Sequence, residues 1–203
     1  MSSKTIRMYS TAAAMLLSGT YGFHITEGLS LIDSFYLSGI TFTTIGYGDL
    51  PAPVTRNGKM LMMVFSLLAI GFFANVVLPY GGELRDRLDG ALFGGGSNKL
   101  RTSMVMLVVN AMLGAGICSV TRDPGLPSIN EPLDLFYWSF VTGTTIGYGD
   151  FAPQTNNGKL LTVLYALLSL QTTGAAADAV GEWLNDTFIG IGSDDDSTKA
   201  KEA

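Results

Sequence analysis

Cysteine and histidine are almost missing. Cys118 is the only thiol and His24 the only imidazole, so no intrachain disulfide forms and no Cys/His metal cage can be assembled. Nucleophile–base pairs lack their usual members, and neither an enzyme activity nor a cofactor is expected. Charge is scarce too. Asp, Glu, Lys and Arg supply 14% of the 203 residues, where a soluble domain carries about 25%. No apolar stretch has Arg or Lys at every third position, which excludes the usual voltage sensor. No nucleic-acid partner is expected of a chain whose net charge is −5.

What the chain has instead is apolar length. Met8–Ile25, Met60–Tyr80, Thr102–Val120 and Leu160–Ala177 hold 18, 21, 19 and 18 residues without one charged side chain. At ~1.5 Å per residue each matches a hydrocarbon core of ~30 Å. Four spanning helices in a lipid bilayer are expected. With both termini cytoplasmic, Lys4, Arg7, Arg85, Arg87, Lys99, Arg101, Lys199 and Lys201 lie inside and Arg56, Lys59, Arg122 and Lys159 outside, as the positive-inside rule favours. The first run follows two basic residues without a clear cleavage site and reads as a retained signal-anchor. Cys118, inside the third run, reads as a small packing residue, with an intersubunit disulfide as the alternative.

The chain repeats itself. Thr-Thr-Ile-Gly-Tyr-Gly-Asp occurs at Thr43–Asp49 and at Thr144–Asp150, an offset of 101 shared by Asp33-Ser34-Phe35-Tyr36 and Asp134-Leu135-Phe136-Tyr137. Asn57-Gly58-Lys59 then matches Asn157-Gly158-Lys159 at an offset of 100. Residues 1–93 and 102–192 are therefore two copies of helix, re-entrant helix, filter loop, helix. Residues 94–101 are a glycine-rich cytoplasmic connector, and residues 193–203 an acidic tail. Asp194-Asp195-Asp196 lacks the spacing and glycine of an EF-hand. Ser193 before those aspartates is a weak candidate for an acid-directed kinase.

The repeated segment suits ion dehydration. Carbonyls replace a hydration shell only if the backbone turns them all one way, and glycine adopts the angles this needs. Gly46, Gly48, Gly147 and Gly149 fit that role. The carbonyls of Thr44, Ile45, Gly46 and Tyr47, and of Thr145, Ile146, Gly147 and Tyr148, are the expected ligands of a dehydrated cation, with Asp49 and Asp150 at the outer end. Pore helices are expected at Asp33–Phe42 and Asp134–Gly143, with Asp33 and Asp134 as N-caps and their C-terminal partial charges favouring a cation below the filter.

On these residues the chain resembles the two-pore-domain potassium channels over roughly residues 8–190. The resemblance implies an all-α membrane protein with four transmembrane helices and two re-entrant pore loops. It also implies a homodimer, since four filter loops are needed and the chain has two. Only Thr26–Ile32 separates the first run from the first pore helix, so the extracellular cap of animal members is not expected. A leak-like or weakly gated potassium channel follows, with a non-conducting regulatory subunit or a potassium-transporter subunit as alternatives.

The repeats differ around the filter. Trp138 stands where potassium channels often place an aromatic whose N–H braces the filter tyrosine, and Leu37 is its counterpart. The bracing is therefore expected to be weaker beside the first filter. Tyr36 and Tyr137 are positioned to hydrogen-bond Asp49 and Asp150. Asn75, Thr172 and Thr173 are candidates for the inner pore lining. Gly71 and Gly174 read either as hinges or as packing residues. Asp178, whose counterpart is Leu78, either faces the pore as an attractor of internal cations or sits at the interface. His24 reads either as an external pH sensor or as an interfacial residue. Seven outer acids face four outer bases, which concentrates cations at the mouth.

Overall fold

The computed structural model describes residues 3–94 and 99–189. The middle of the glycine-rich connector and the acidic tail with Ser193 lie outside the described residues. The first repeat contains α1 (Ser3–Glu27), α2 (Leu31–Phe42) and α3 (Arg56–Phe72). A π-helical turn, Phe73–Val77, joins α3 to α4 (Leu78–Phe93). The second repeat contains α5 (Lys99–Thr121), α6 (Pro132–Gly143) and α7 (Asn156–Leu184), the last extended by a π-helical turn at Asn185–Ile189.

Arg56–Phe93, Lys99–Thr121 and Asn156–Phe188 are long and apolar enough to cross a bilayer, at 38, 23 and 33 residues. They make this an integral, multi-pass membrane protein. The fourth expected span, α1, is a helix of 25 residues but is not among those three. Its serines and threonines lower its hydropathy. Ser10, Ser18, Thr20 and Thr26 satisfy their hydroxyls within the helix, Ser18 donating to the Met15 carbonyl at 2.8 Å and Thr20 to the Leu16 carbonyl at 2.7 Å.

Local chemistry explains the helix ends. Thr55 and Thr155 cap α3 and α7, each accepting from the amide of Gly58 or Gly158. The pore helices begin earlier than expected, and Asp33 and Asp134 are not their N-caps. Ser30 is the cap of α2: its side chain accepts from the Asp33 amide at 3.1 Å and donates to the Asp33 carboxylate at 2.8 Å. The Asp33 carboxylate thus takes the Ser30 hydroxyl rather than the Ser30 amide, and the cap is the serine side chain itself. In α6 the cap position belongs to Glu131, and Pro132 opens the helix, where its missing N–H costs nothing.

The π turn in the Arg56–Phe93 rod has a cause. Pro79 has no N–H for the Asn75 carbonyl, which interrupts the regular ladder, and Asn75 Nδ2 donates to the Gly71 carbonyl at 2.9 Å.

Each short helix lies between the longer ones. α2 packs on α1, α3 and α7, and α6 on α5 and α7. The main core gathers Phe23, Tyr36, Phe42, Phe65, Val163 and Ala166 around α2. A second cluster joins Cys118, Leu126, Leu135, Trp138 and Tyr165. Cys118 is buried there, in agreement with a packing role. Along α3 and α5 the outer faces are apolar and exposed, including Leu67, Leu68, Val108 and Met112.

Candidate functional site

Both repeated segments leave a pore helix with the same backbone. Thr44, Gly46 and Gly48 have φ of 59°, 56° and 76°, and Thr145, Gly147 and Gly149 have 61°, 55° and 75°. The intervening Ile45, Tyr47, Ile146 and Tyr148 keep negative φ. Such alternation turns successive amides to one side and successive carbonyls to the other, unlike a β-strand. The amides are taken up by the helix end: Ile45 N and Gly46 N both donate to the Ile40 carbonyl, at 2.9 and 3.1 Å. Ile146 N and Gly147 N both donate to the Val141 carbonyl, at 3.0 and 3.2 Å.

Two of the left-handed positions are not glycine. A positive φ is uncommon for any residue with a Cβ and rare for a β-branched one, yet Thr44 and Thr145 both adopt it. Hydrogen bonds to the Thr41 and Thr142 carbonyls, at 3.0 and 3.1 Å, hold them there.

The two segments stand side by side. A Cβ on Gly147 would fall on the Ile45 carbonyl, and one on Gly149 on the Tyr47 carbonyl. Only glycine permits that approach. Around Gly46 and Gly48 a Cβ would meet nothing within 4 Å.

The braces cross between repeats. Tyr47 reaches the second pore helix, where its hydroxyl meets Thr142 Oγ1 at 2.5 Å. Trp138, on the same helix, stacks on Tyr165 at 5.5 Å, and its indole N–H has no hydrogen-bond partner among the described residues. The expected tryptophan brace is thus replaced by a threonine. Tyr47 points away from its own pore helix into the second repeat. Tyr36 does hold Asp49, at 2.9 Å, and Asp150 lies near the Tyr137 hydroxyl. Burial is unequal: Ile45 and Tyr47 are 4% and 6% exposed, Ile146 and Tyr148 49% and 69%.

Two carboxylates anchor the loops that follow the filters. Glu27, at the end of α1, accepts from the amides of Val54 and Thr55 and from the Thr55 hydroxyl, the last at 2.6 Å. Asp123, just after α5, accepts from the amides of Gly125, Gln154 and Thr155 and from the Thr155 hydroxyl, at 2.5–2.9 Å. The Asn-Gly-Lys motif has its reason here, since a Cβ at Gly58 or Gly158 would collide with Glu27 or Asp123. The Thr55 hydroxyl, then the Val54 amide, hold the Glu27 carboxyl below its ordinary value. Burial pushes the Asp123 carboxyl up, but its four donors outweigh that and hold it below its ordinary value as well. Near them Lys159 Nζ meets Asp33 Oδ1 at 2.5 Å, tying α7 to the first pore helix. His24 Nδ1 lies 2.6 Å from the Leu29 carbonyl.

At the other end the expected lining residues scatter. Thr173 donates to the Gly143 carbonyl at the foot of the second pore helix. Thr172 turns back to the Ser169 carbonyl at 2.8 Å. A Cβ on Gly81 would strike the α7 backbone at Gln171 and Ala175, so Gly174 sits, buried, at a close helix crossing. Gly71 has open space around it. Asp178 Oδ2 pairs with Arg85 at 2.7 Å; Arg85, 3% exposed, also meets Asp86 at 3.0 Å. Arg85 was read only as a cytoplasmic charge.

The family model described as "Ion channel" matches residues 10–85 and 103–186, one match on each repeat. The chain is 30% identical to the TWiK family of potassium channels protein 7 of Caenorhabditis elegans, over 77% of this chain and 33% of that protein. It is 26% identical to Potassium channel subfamily K member 2 of Homo sapiens, over 74% and 39%. With Two pore potassium channel b of Oryza sativa subsp. japonica the identity is 25%, over 77% and 49%. The chain thus spans between a third and a half of the length of these relatives.

Proposed function

This chain belongs to the two-pore-domain potassium channel family, and from that premise we propose that two copies form one passive, potassium-selective pore. The observation that carries the reading is the pair of adjacent segments with the same alternating backbone. Rings of carbonyls from Thr44, Ile45, Gly46 and Tyr47, and from Thr145, Ile146, Gly147 and Tyr148, replace the water of a potassium ion. The Thr44 and Thr145 hydroxyls close the innermost site, and Gly48, Asp49, Gly149 and Asp150 form the exit.

The inequality of the repeats supports the homodimer. Residues buried at the boundary within the chain have exposed counterparts one repeat away: Tyr47 and Tyr148, Ile45 and Ile146, and Val163 against Met63, at 0% and 65%. A second copy placed by the same rotation covers the exposed set and completes four filter strands. Pseudo-four-fold symmetry sets Tyr148 of each subunit against Thr41 of the other, as Tyr47 meets Thr142.

In this reading α1 is the fourth span, its lipid-facing surface closed by internally satisfied hydroxyls, and both termini are cytoplasmic. The chain carries no extracellular cap between α1 and α2, because only Gly28–Ser30 joins them. Asn75, Thr172 and Thr173 border the inner cavity, and Gly71 has the freedom of a hinge that Gly174 lacks. Asp178 serves as a tie to Arg85 more than as a free attractor of cations, and conduction is leak-like or weakly gated.

The test is purified protein in a planar bilayer with potassium on one side and sodium on the other. A reversal potential near that of potassium is expected. A silent bilayer, or a reversal potential near zero, overturns the proposal.

A further inference from the structure

The boundary between repeats carries an ion pair as well as the tyrosine brace. Lys159, near the start of α7, reaches Asp33 in the first turn of the first pore helix at 2.5 Å. Lys159 is 13% exposed and Asp33 27%, so the pair is half-shielded from water. The tyrosine contact at this boundary has the same sense: the first repeat supplies Tyr47 and Asp33, the second Thr142 and Lys159.

The repeat offsets carry these residues to a second boundary. Asp33 becomes Asp134 and Lys159 becomes Lys59, at the offsets of 101 and 100 read from the sequence. Asp134 lies in the first turn of its pore helix, as Asp33 does. Lys59 is exposed. Neither residue forms an ion pair within its own chain among the described residues. The charges are opposite, and each stands at the register of a residue that is already paired.

Resting on the dimeric pore proposed above, we infer that Lys59 of each subunit pairs with Asp134 of the other, so that four lysine–aspartate pairs, two within chains and two between them, close the outer mouth as a ring. The two kinds are not equivalent. Ser30 holds the Asp33 carboxylate through its hydroxyl, whereas Glu131 gives no side-chain cap hydrogen bond at the matching site. The intersubunit pairs are the less restrained, and they release first when the mouth is disturbed.

A carbodiimide tests this on the full chain in lipid nanodiscs. It activates a carboxyl, the lysine amine attacks, an amide forms, and the carbodiimide leaves as a urea carrying the lost oxygen. The expected result is a covalent dimer with Lys59–Asp134 peptides joined across ¹⁴N- and ¹⁵N-labelled chains. Lys59→Gln and Asp134→Asn each abolish that dimer, the exchange K59D/D134K restores it, and Lys159→Gln leaves it unchanged. Mass photometry of the untreated protein separates the two ideas. A dimer by mass that gives Asp33–Lys159 products but no Lys59–Asp134 product overturns the intersubunit pair alone. A monomer by mass overturns the dimeric pore, and the pair with it.

Discussion

The hydroxyl of Tyr47 and that of Thr142 meet at 2.5 Å across 95 residues of chain, joining the first filter to the second repeat's pore helix. Tyr47 is buried. Removing its partner leaves a buried hydroxyl unsatisfied, a cost of about 1–3 kcal/mol. Thr142→Val is therefore expected to lower the potassium-over-sodium permeability ratio in bi-ionic recordings. Adding Tyr47→Phe, which removes the other half of the bond, is expected to recover part of the stability in thermal unfolding. Strictly additive losses would show that the two hydroxyls act independently.

Gly158→Ala puts a methyl group where the Asp123 carboxylate lies. The variant is expected to lose most folded protein in detergent size-exclusion chromatography. Gly158→Ala with Asp123→Ala has room for the methyl and is expected to return part of it. Equal loss in both variants would separate the glycine from the anchor.

The same anchors define an acid limit. Asp123 and Glu27 have ordinary values of 3.8 and 4.5, and both are lowered in the folded chain. A lowered carboxyl contributes stability fully above its unfolded value and loses it as pH falls through the folded one. The melting-temperature difference between the native protein and Asp123→Asn is thus expected to be constant from pH 7 to about pH 5, and to close only below 3.8. A difference that closes between pH 7 and pH 5 would assign the shift the wrong sign.

Arg85 is buried while Asp178 is 44% exposed. Asp178→Asn leaves Arg85 with Asp86 alone, and solvent around Asp178 screens the loss, so about 1–2 kcal/mol of destabilisation is expected. Replacing both with leucine is expected to cost less than Asp178→Asn. Thermal unfolding of the two variants and the native protein decides it.

The sequence was most readable where glycine or length carried the message. Gly46, Gly48, Gly147 and Gly149 announced their left-handed backbone, and the long apolar runs announced the membrane. Thr44 and Thr145 did not, because a β-branched residue is among the last expected at a positive φ. The tyrosine brace was assigned to Trp138 by its distance along the chain, and chain distance does not say which repeat a side chain points into. Asp33 is a natural N-cap residue by type, but so is Ser30 three residues earlier, and Ser30 takes the position. Glu27 and Asp123 fall outside the 101-residue register, so aligning the halves never paired them. Arg85 looked like a surface charge until α7 was packed against α4.

That last contact has a consequence for how the protein is made. Arg85 and Asp178 are separated by 93 residues, and the arginine leaves the ribosome first. Until α7 arrives, the newly inserted first repeat holds a cation whose α7 partner has not yet been synthesised, with Asp86 as its remaining ion-pair partner. Domains generally mature in order of synthesis, but here the first repeat cannot complete its base until the second is nearly finished. Biogenesis of the two repeats is therefore coupled, and a chain stopped after residue 93 is expected to be retained and degraded, even though it carries one whole filter.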